Sequence, residues 1–106
     1  MKKKVIIIGS GLAGLAASIR LKSKGYNVEV YEKNKNVGGK LSDFYLGDFR
    51  HDFGPKLFTM PNLVEDIFED AGVKTNKYFK YDRLDIACKY FWDDGHIFNA
   101  YSDSQK

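Results

Sequence analysis

A chain of 106 residues, 43% hydrophobic and 29% charged, has the makeup of one modest globular domain, which excludes wholesale disorder and leaves room for a core. Its one cysteine, Cys88, excludes a disulfide framework and a four-cysteine zinc site, and its apolar runs fall far short of the roughly 20 residues that span a bilayer. Net charge is +3, yet residues 1–53 hold ten Lys/Arg against five Asp/Glu and residues 54–106 hold seven against nine. A positive first half suits a phosphate-bearing partner, and on charge alone it suits an unevenly charged solvated surface equally well. It is too mild, and too poor in clustered arginine, for nucleic acid.

Lys4–Gly9 (KVIIIG) is a short β-branched run, apolar on both faces, and reads as a buried central strand of a parallel sheet. The lysines before it mimic a secretory leader. The apolar stretch Val5 to Ile8 is too short for the ~7–15 residues such a leader needs, so the chain reads as cytoplasmic. Leu12 to Lys24 follows with helical spacing: Leu12, Leu15, Ala16, Ile19 and Leu21 form the apolar side, and Gly25 closes the helix as a left-handed cap. Asn27 to Glu32 (NVEVYE) alternates and reads as a second strand. Strand, helix and strand within about 30 residues make one βαβ unit with parallel pairing. Residues 33–40 form a loop. Leu41–Tyr45 and Phe49–Phe53 flank Gly47-Asp48 as a hairpin. Pro61 to Ala71 reads as a helix with Leu63, Val64, Ile67, Phe68 and Ala71 on one face and Gly72 at its end. Beyond it the pattern weakens until Asp85–Trp92 and His96–Tyr101, which flank Asp93-Asp94-Gly95 as a second hairpin.

The chemistry is concentrated in Gly9-Ser10-Gly11-Leu12-Ala13-Gly14, a GxGxxG motif between a predicted strand and a predicted helix. The three glycines act mechanically and differently. Gly9 turns the chain, Gly11 lets backbone approach a pyrophosphate, and Gly14 lets the helix pack close to the sheet. Phosphates would then lie at the helix N-terminus, where free N–H groups and the helix dipole favour an anion. Glu32 lies 18 residues past Gly14, at the end of the second strand, where a carboxylate accepts hydrogen bonds from ribose hydroxyls and repels a 2′-phosphate. This disfavours NADP. Glu32 to Lys40 (EKNKNVGGK) then carries a Gly-Gly pair that lets the chain fold back over the nucleotide, with Lys40 adding a cation near the pyrophosphate.

These segments together resemble the bacterial-type phytoene (carotenoid) desaturases of the FAD-dependent amine-oxidase superfamily. The resemblance rests on VIIIGSGLAGLAASIRL, VEVYEKNKNVGGK and FRHDFGP (Phe49 to Pro55), with softer support from the helix after Pro61 and from YFWDDGHIFN. It implies an α/β fold: a Rossmann-like βαβ dinucleotide-binding unit followed by β-hairpins and a helix, an incomplete part of a larger FAD-binding fold. Residues 1–106 would be the N-terminal part of that domain, with the βαβ core at 4–32, the Gly-Gly loop at 33–40 and the start of the substrate-side region within 41–106. The cofactor implied is FAD. Gly9, Ser10, Gly11, Leu12, Ala13 and Gly14 would hold its pyrophosphate, Glu32 its adenosine ribose, and Lys33 would line the adenine. Gly39, Lys40 and Leu41 would return along it toward the flavin, and Gly54, Pro55 and Lys56 would lie beside the isoalloxazine ring. In the longer enzyme the implied reaction is removal of hydrogen from a lipophilic polyene such as phytoene, with peripheral membrane contact as the corollary of a lipid-dissolved substrate. Alternatives are an amine or protoporphyrinogen oxidase of the same superfamily, or a non-catalytic nucleotide-binding module complete at this length.

The remaining candidates read as structural. Cys88 alternates with Lys89 and suits a packed thiol better than a nucleophile. His51 and His96 have no second ligand at metal spacing, and no catalytic acid, base or nucleophile stands out. Tyr78, Phe79, Tyr81, Tyr90, Phe91 and Trp92 suit core or inter-domain packing. Glu65, Asp66, Glu69 and Asp70 form the solvated face of their helix. One βαβ unit also leaves open sheet edges and uncovered apolar faces, so weak FAD binding by these residues alone is expected.

Overall fold

A computed structural model describes residues 3–54 and 58–103. The chain opens with strand β1 (Lys4–Ile8), helix α1 (Leu12–Ser23) and strand β2 (Asn27–Tyr31). β1 and β2 pair in parallel, from Lys4 opposite Asn27 to Ile8 opposite Tyr31. The helix between them ends as its sequence requires. Gly25 takes φ +88°, its N–H donates to the Lys22 carbonyl at 2.9 Å, and the Tyr26 N–H donates to the Leu21 carbonyl at 3.1 Å. That pair of bonds satisfies carbonyls which the helix leaves without partners.

A hairpin follows, β3 (Asp43–Leu46) and β4 (Phe49–Asp52), turning at Gly47-Asp48. Asp43 and Asp52 lie directly opposite each other, a repulsive arrangement. Arg50 neutralises it, with Nε 2.6 Å from Asp43 and Nη1 3.0 Å from Asp52. The Phe44 ring stacks on His51 with centroids 5.3 Å apart. Helix α2 (Asn62–Asp70) comes next, with Pro61 at its N-cap, one position before the expected first turn. It lies against α1 and is tied to it by an exposed Arg20–Asp70 ion pair at 2.9 Å, a contact of small energetic value. A 3-10 turn at Thr75–Lys77 falls where the sequence pattern is weak. Its neighbours pack back on α2: Phe68 stacks on Tyr78 at 6.0 Å, and the Tyr81 hydroxyl donates to Glu65 at 3.0 Å. The last hairpin pairs β5 (Ile86–Phe91) with β6 (Ile97–Tyr101).

Two expectations are corrected. The run Val5–Ile8 was expected to be buried on both faces, but only one face is covered. Val5 and Ile7 are half-buried on the side of α1, whereas Ile6 is 57% and Ile8 89% exposed. Burial of both faces of a parallel strand requires a layer on each side, and among the described residues only the α1 layer is there. The second correction follows from the first. Among the described residues no hydrophobic side chain is buried, and the three sheets are two-stranded and separate. The radius of gyration is 18.7 Å with extents of 67 × 41 × 22 Å, against about 13 Å for a compact chain of this length. The room for a core is present and unused. The open edges and uncovered faces expected of a single βαβ unit are observed.

Candidate dinucleotide-binding site

The site begins where β1 stops. Gly9 adopts φ +98°, open to a residue without Cβ, and its N–H donates to the Tyr31 carbonyl at 2.7 Å, which ties the turn to β2. Ser10 is 1% exposed. Gly11 is extended and is the N-cap of α1, with no side-chain cap and no acidic residue in the first turn. The first-turn positions Leu12, Ala13 and Gly14 therefore leave the positive end of α1 without an anion from its own first turn. At Gly14 an added Cβ would overlap the Gly9 carbonyl oxygen, so α1 lies as close to the elbow as backbone allows.

Glu32, the residue after β2, reaches this elbow across 22 residues of sequence. Its Oε2 accepts from the Ser10 N–H at 2.8 Å and from the Ser10 hydroxyl at 2.9 Å. Its Oε1 accepts from the Asn34 N–H at 2.9 Å and from the Asn34 side-chain amide at 2.8 Å. The Ser10 backbone bond, followed by that of Asn34, holds the Glu32 carboxyl down to about 2, so it is ionised throughout the physiological range. Lys33 lies exposed beside it.

The Gly-Gly pair folds back on the same elbow. The Gly38 N–H donates to the Ser10 carbonyl at 2.8 Å, and Gly11 and Gly38 form a parallel bridge. A Cβ on Gly39, which has φ +64°, would sit 3.0 Å from the Gly11 Cα. Leu41 turns back with its N–H on the Gly38 carbonyl at 3.2 Å. Gly54 lies against Lys40, whose carbonyl oxygen an added Cβ would strike. Lys40, Leu41 and Gly54 line one cleft of about 420 Å³ with Arg50 and Asp52.

Sequence-predicted residues thus gather in two neighbouring groups. Gly9 to Gly14, Glu32 and Gly39 surround the elbow, and Lys40, Leu41 and Gly54 line the cleft beyond the Gly-Gly turn. Pro55 and Lys56 lie outside the described residues. Ser10 directs both of its donors to Glu32. Two residues were missed. Gly38, whose signal is its place in the Gly-Gly pair, bonds directly to the elbow, and Asn34, which carries no spacing signal, completes the shell of Glu32. Gly39→Ala is expected to weaken nucleotide binding about tenfold, because the substitution imposes a left-handed alanine, costing roughly 1–2 kcal/mol, and pushes the loop off Gly11. Calorimetric titration with ADP measures this.

A glycine elbow between a parallel strand and its helix, with an acid at the end of the neighbouring strand, defines a dinucleotide-binding βαβ unit. A profile of the NAD(P)-binding Rossmann-like domain matches residues 7–71. The chain belongs to this family, and a dinucleotide cofactor is the ligand class of its fold. It is also 51% identical over 104 residues to a 1-hydroxycarotenoid 3,4-desaturase of Flavobacterium sp. (strain P99-3), covering 95% of this chain and 20% of that protein. Identity is 36% over 102 residues to a 4,4'-diaponeurosporene oxygenase of Staphylococcus haemolyticus (strain JCSC1435), covering 96% of this chain and 20% of that protein. It is 36% over 103 residues to a 4,4'-diapolycopene oxygenase of Methylomonas sp, covering 97% of this chain and 21% of that protein. The chain spans about one fifth of the length of these curated relatives. No helix among the described residues is long and apolar enough to cross a membrane.

Proposed function

We propose that this chain is the FAD-binding region of an oxidoreductase that acts on a carotenoid-type polyene, as a desaturase. The observation that carries the reading is the fold-back of Gly38 and Gly39 onto the glycine elbow beside Glu32. It brings the Gly-Gly turn, which leads on to Lys40 and the cleft shared with Gly54, against the elbow that Glu32 clasps. The reading draws further support from the carotenoid enzymes among the relatives.

In this reading residues 1–106 are the N-terminal part of an FAD-binding domain. Residues 4–32 form the βαβ core, 33–40 the Gly-Gly loop, and 41–106 a hairpin, a helix and the start of the substrate-side region. Gly9 to Gly14 hold the pyrophosphate, with Gly11 giving backbone access and the first turn of α1 supplying N–H donors. Glu32 accepts the adenosine ribose and Lys33 lines the adenine. Gly39, Lys40 and Leu41 lead toward the flavin, and Gly54, Pro55 and Lys56 lie beside its ring. FAD bound there supplies the acceptor for hydrogen taken from a carbon–carbon bond of the polyene. The chain's own residues bind and orient, and a lipid-dissolved substrate brings the enzyme to a membrane surface.

The test is to purify the longer protein that carries this chain, record its flavin absorbance, and analyse products with phytoene and hydroxylated carotenoids. Flavin-free protein or unaltered polyene would overturn the reading. The 106 residues alone are expected to bind FAD weakly, because no apolar side chain among the described residues is buried to hold the elbow rigid. A submicromolar dissociation constant in a flavin-fluorescence titration would contradict this and favour a self-sufficient binding module.

A further inference from the structure

Glu32 carries four hydrogen bonds from within the chain, and an ionised carboxylate offers about four lone-pair sites. Its acceptor capacity is therefore filled before any ligand arrives. The two oxygens are filled differently. Oε2 is held by the N–H and hydroxyl of Ser10, a residue 1% exposed and itself pinned through its carbonyl by Gly38. Oε1 is held by Asn34, an exposed loop residue, through one backbone N–H and one side-chain amide. Of the four donors, the Asn34 amide alone belongs to an exposed side chain that can rotate into solvent while leaving the other three bonds in place.

We propose that the Asn34 side-chain amide is a place-holder. It covers the acceptor site on Glu32 that a ribose hydroxyl takes, and it swings off to admit that hydroxyl. Ser10 and the Asn34 backbone N–H remain as the fixed clamp that aims the carboxylate. The inference rests on the ribose-binding reading of Glu32 and adds a positioning residue that sets the affinity of that site. The physical logic is one of exchange. The tethered amide holds that acceptor site in place of water, so the amide stabilises the empty site and its bond must be given up on binding. Removing the amide removes that opposing contribution for ligands that bring a hydroxyl. It changes nothing for ligands that bring none.

The experiment compares ADP with 2′,3′-dideoxy-ADP on the nucleotide-free longer protein, unsubstituted and with Asn34→Ala, which keeps the backbone N–H. In the unsubstituted protein ADP should bind more tightly than its dideoxy analogue. Asn34→Ala should tighten ADP about threefold, the value of one exchanged hydrogen bond at a solvent-facing carboxylate, and leave dideoxy-ADP unchanged. Weakened or unchanged ADP binding in the variant, or an equal shift for both ligands, would overturn the place-holder role while leaving the nucleotide site intact. Equal affinity of the unsubstituted protein for the two ligands would instead overturn the ribose reading of Glu32, and the place-holder with it.

Discussion

Gly14→Ala is expected to lower both the stability of the protein and its hold on the nucleotide, and Gly11→Ala to lower only the second. The motif gives the two glycines different tasks. Their surroundings differ accordingly. A methyl group on Gly14 would overlap the Gly9 carbonyl oxygen and stand 3.1 Å from the Gly9 carbonyl carbon, with Ile7 Cγ2 at 3.5 Å behind it. Both Gly9 atoms are backbone and cannot rotate aside, so α1 must lift from β1. Overpacking of this kind costs about 1–3 kcal/mol, and more when backbone must move. It also withdraws the first-turn N–H groups from the anion, so a loss of affinity of about 100-fold is expected. At Gly11 the nearest atom to an added methyl is the Gly39 Cα at 3.9 Å, an ordinary contact, and the backbone there suits any residue. That methyl fits the chain itself and, on the proposed reading, intrudes on the path of the pyrophosphate. Urea unfolding and ADP titration on the same two variants separate these effects. Equal destabilisation by both substitutions would contradict the geometry.

Glu32→Ala is the second large effect. The carboxylate is the partner of the Ser10 N–H and hydroxyl, both on a residue almost fully enclosed. Removing it leaves the buried Ser10 donors unpaired, at about 1–3 kcal/mol, and, on the proposed reading, strips the ribose of its acceptor. A loss of affinity of roughly 10–100-fold is expected. Glu32→Gln should be little better, because its amide nitrogen must face donors from either Ser10 or Asn34. The pH dependence follows from the same bonds. The carboxyl titrates at about 2 when folded and near 4.5 when free. The unfolded chain thus takes up its proton first as pH falls. The stabilisation is complete above about pH 4.5 and is lost as pH falls through 2. ADP affinity should therefore hold steady from neutrality to pH 4.5 in the part controlled by Glu32. The terminal phosphate of ADP itself titrates at about pH 6, so the check uses NAD, whose diphosphate diester does not; a midpoint at about pH 6 with that ligand would show that another group governs the site.

Much of this was legible in the residues. The β-branched run, the helical spacing from Leu12, the alternation of NVEVYE and the two glycine-centred hairpins each express a local preference, and each element lies within about two residues of its expected limits. Gly14 and Glu32 were legible for a different reason: close helix–strand approach demands glycine, and the motif sets an acid at the end of the second strand, which the structure brings onto Ser10. Asn34 had no such signal, since an asparagine in a polar loop matches no spacing rule and its role arises only when the loop closes on Glu32. Ile6 and Ile8 show the converse: the run reads as buried on both faces, while a single βαβ unit is expected to leave a face uncovered, and the second holds. An apolar strand states what its side chains require, and whether a second layer meets that requirement is a property of the surrounding structure.

By itself, then, the order of residues determined the βαβ unit, its glycine elbow and the acid beside it, because these rest on backbone sterics and contacts set by short spacings. Only the tertiary structure decided that Gly38 and Gly39 lie against that elbow, that Ser10 and Asn34 fill the acceptor sites of Glu32, and that one face of β1 stays open. Those outcomes depend on how distant segments meet, and the energy of such meetings is not carried by any one segment.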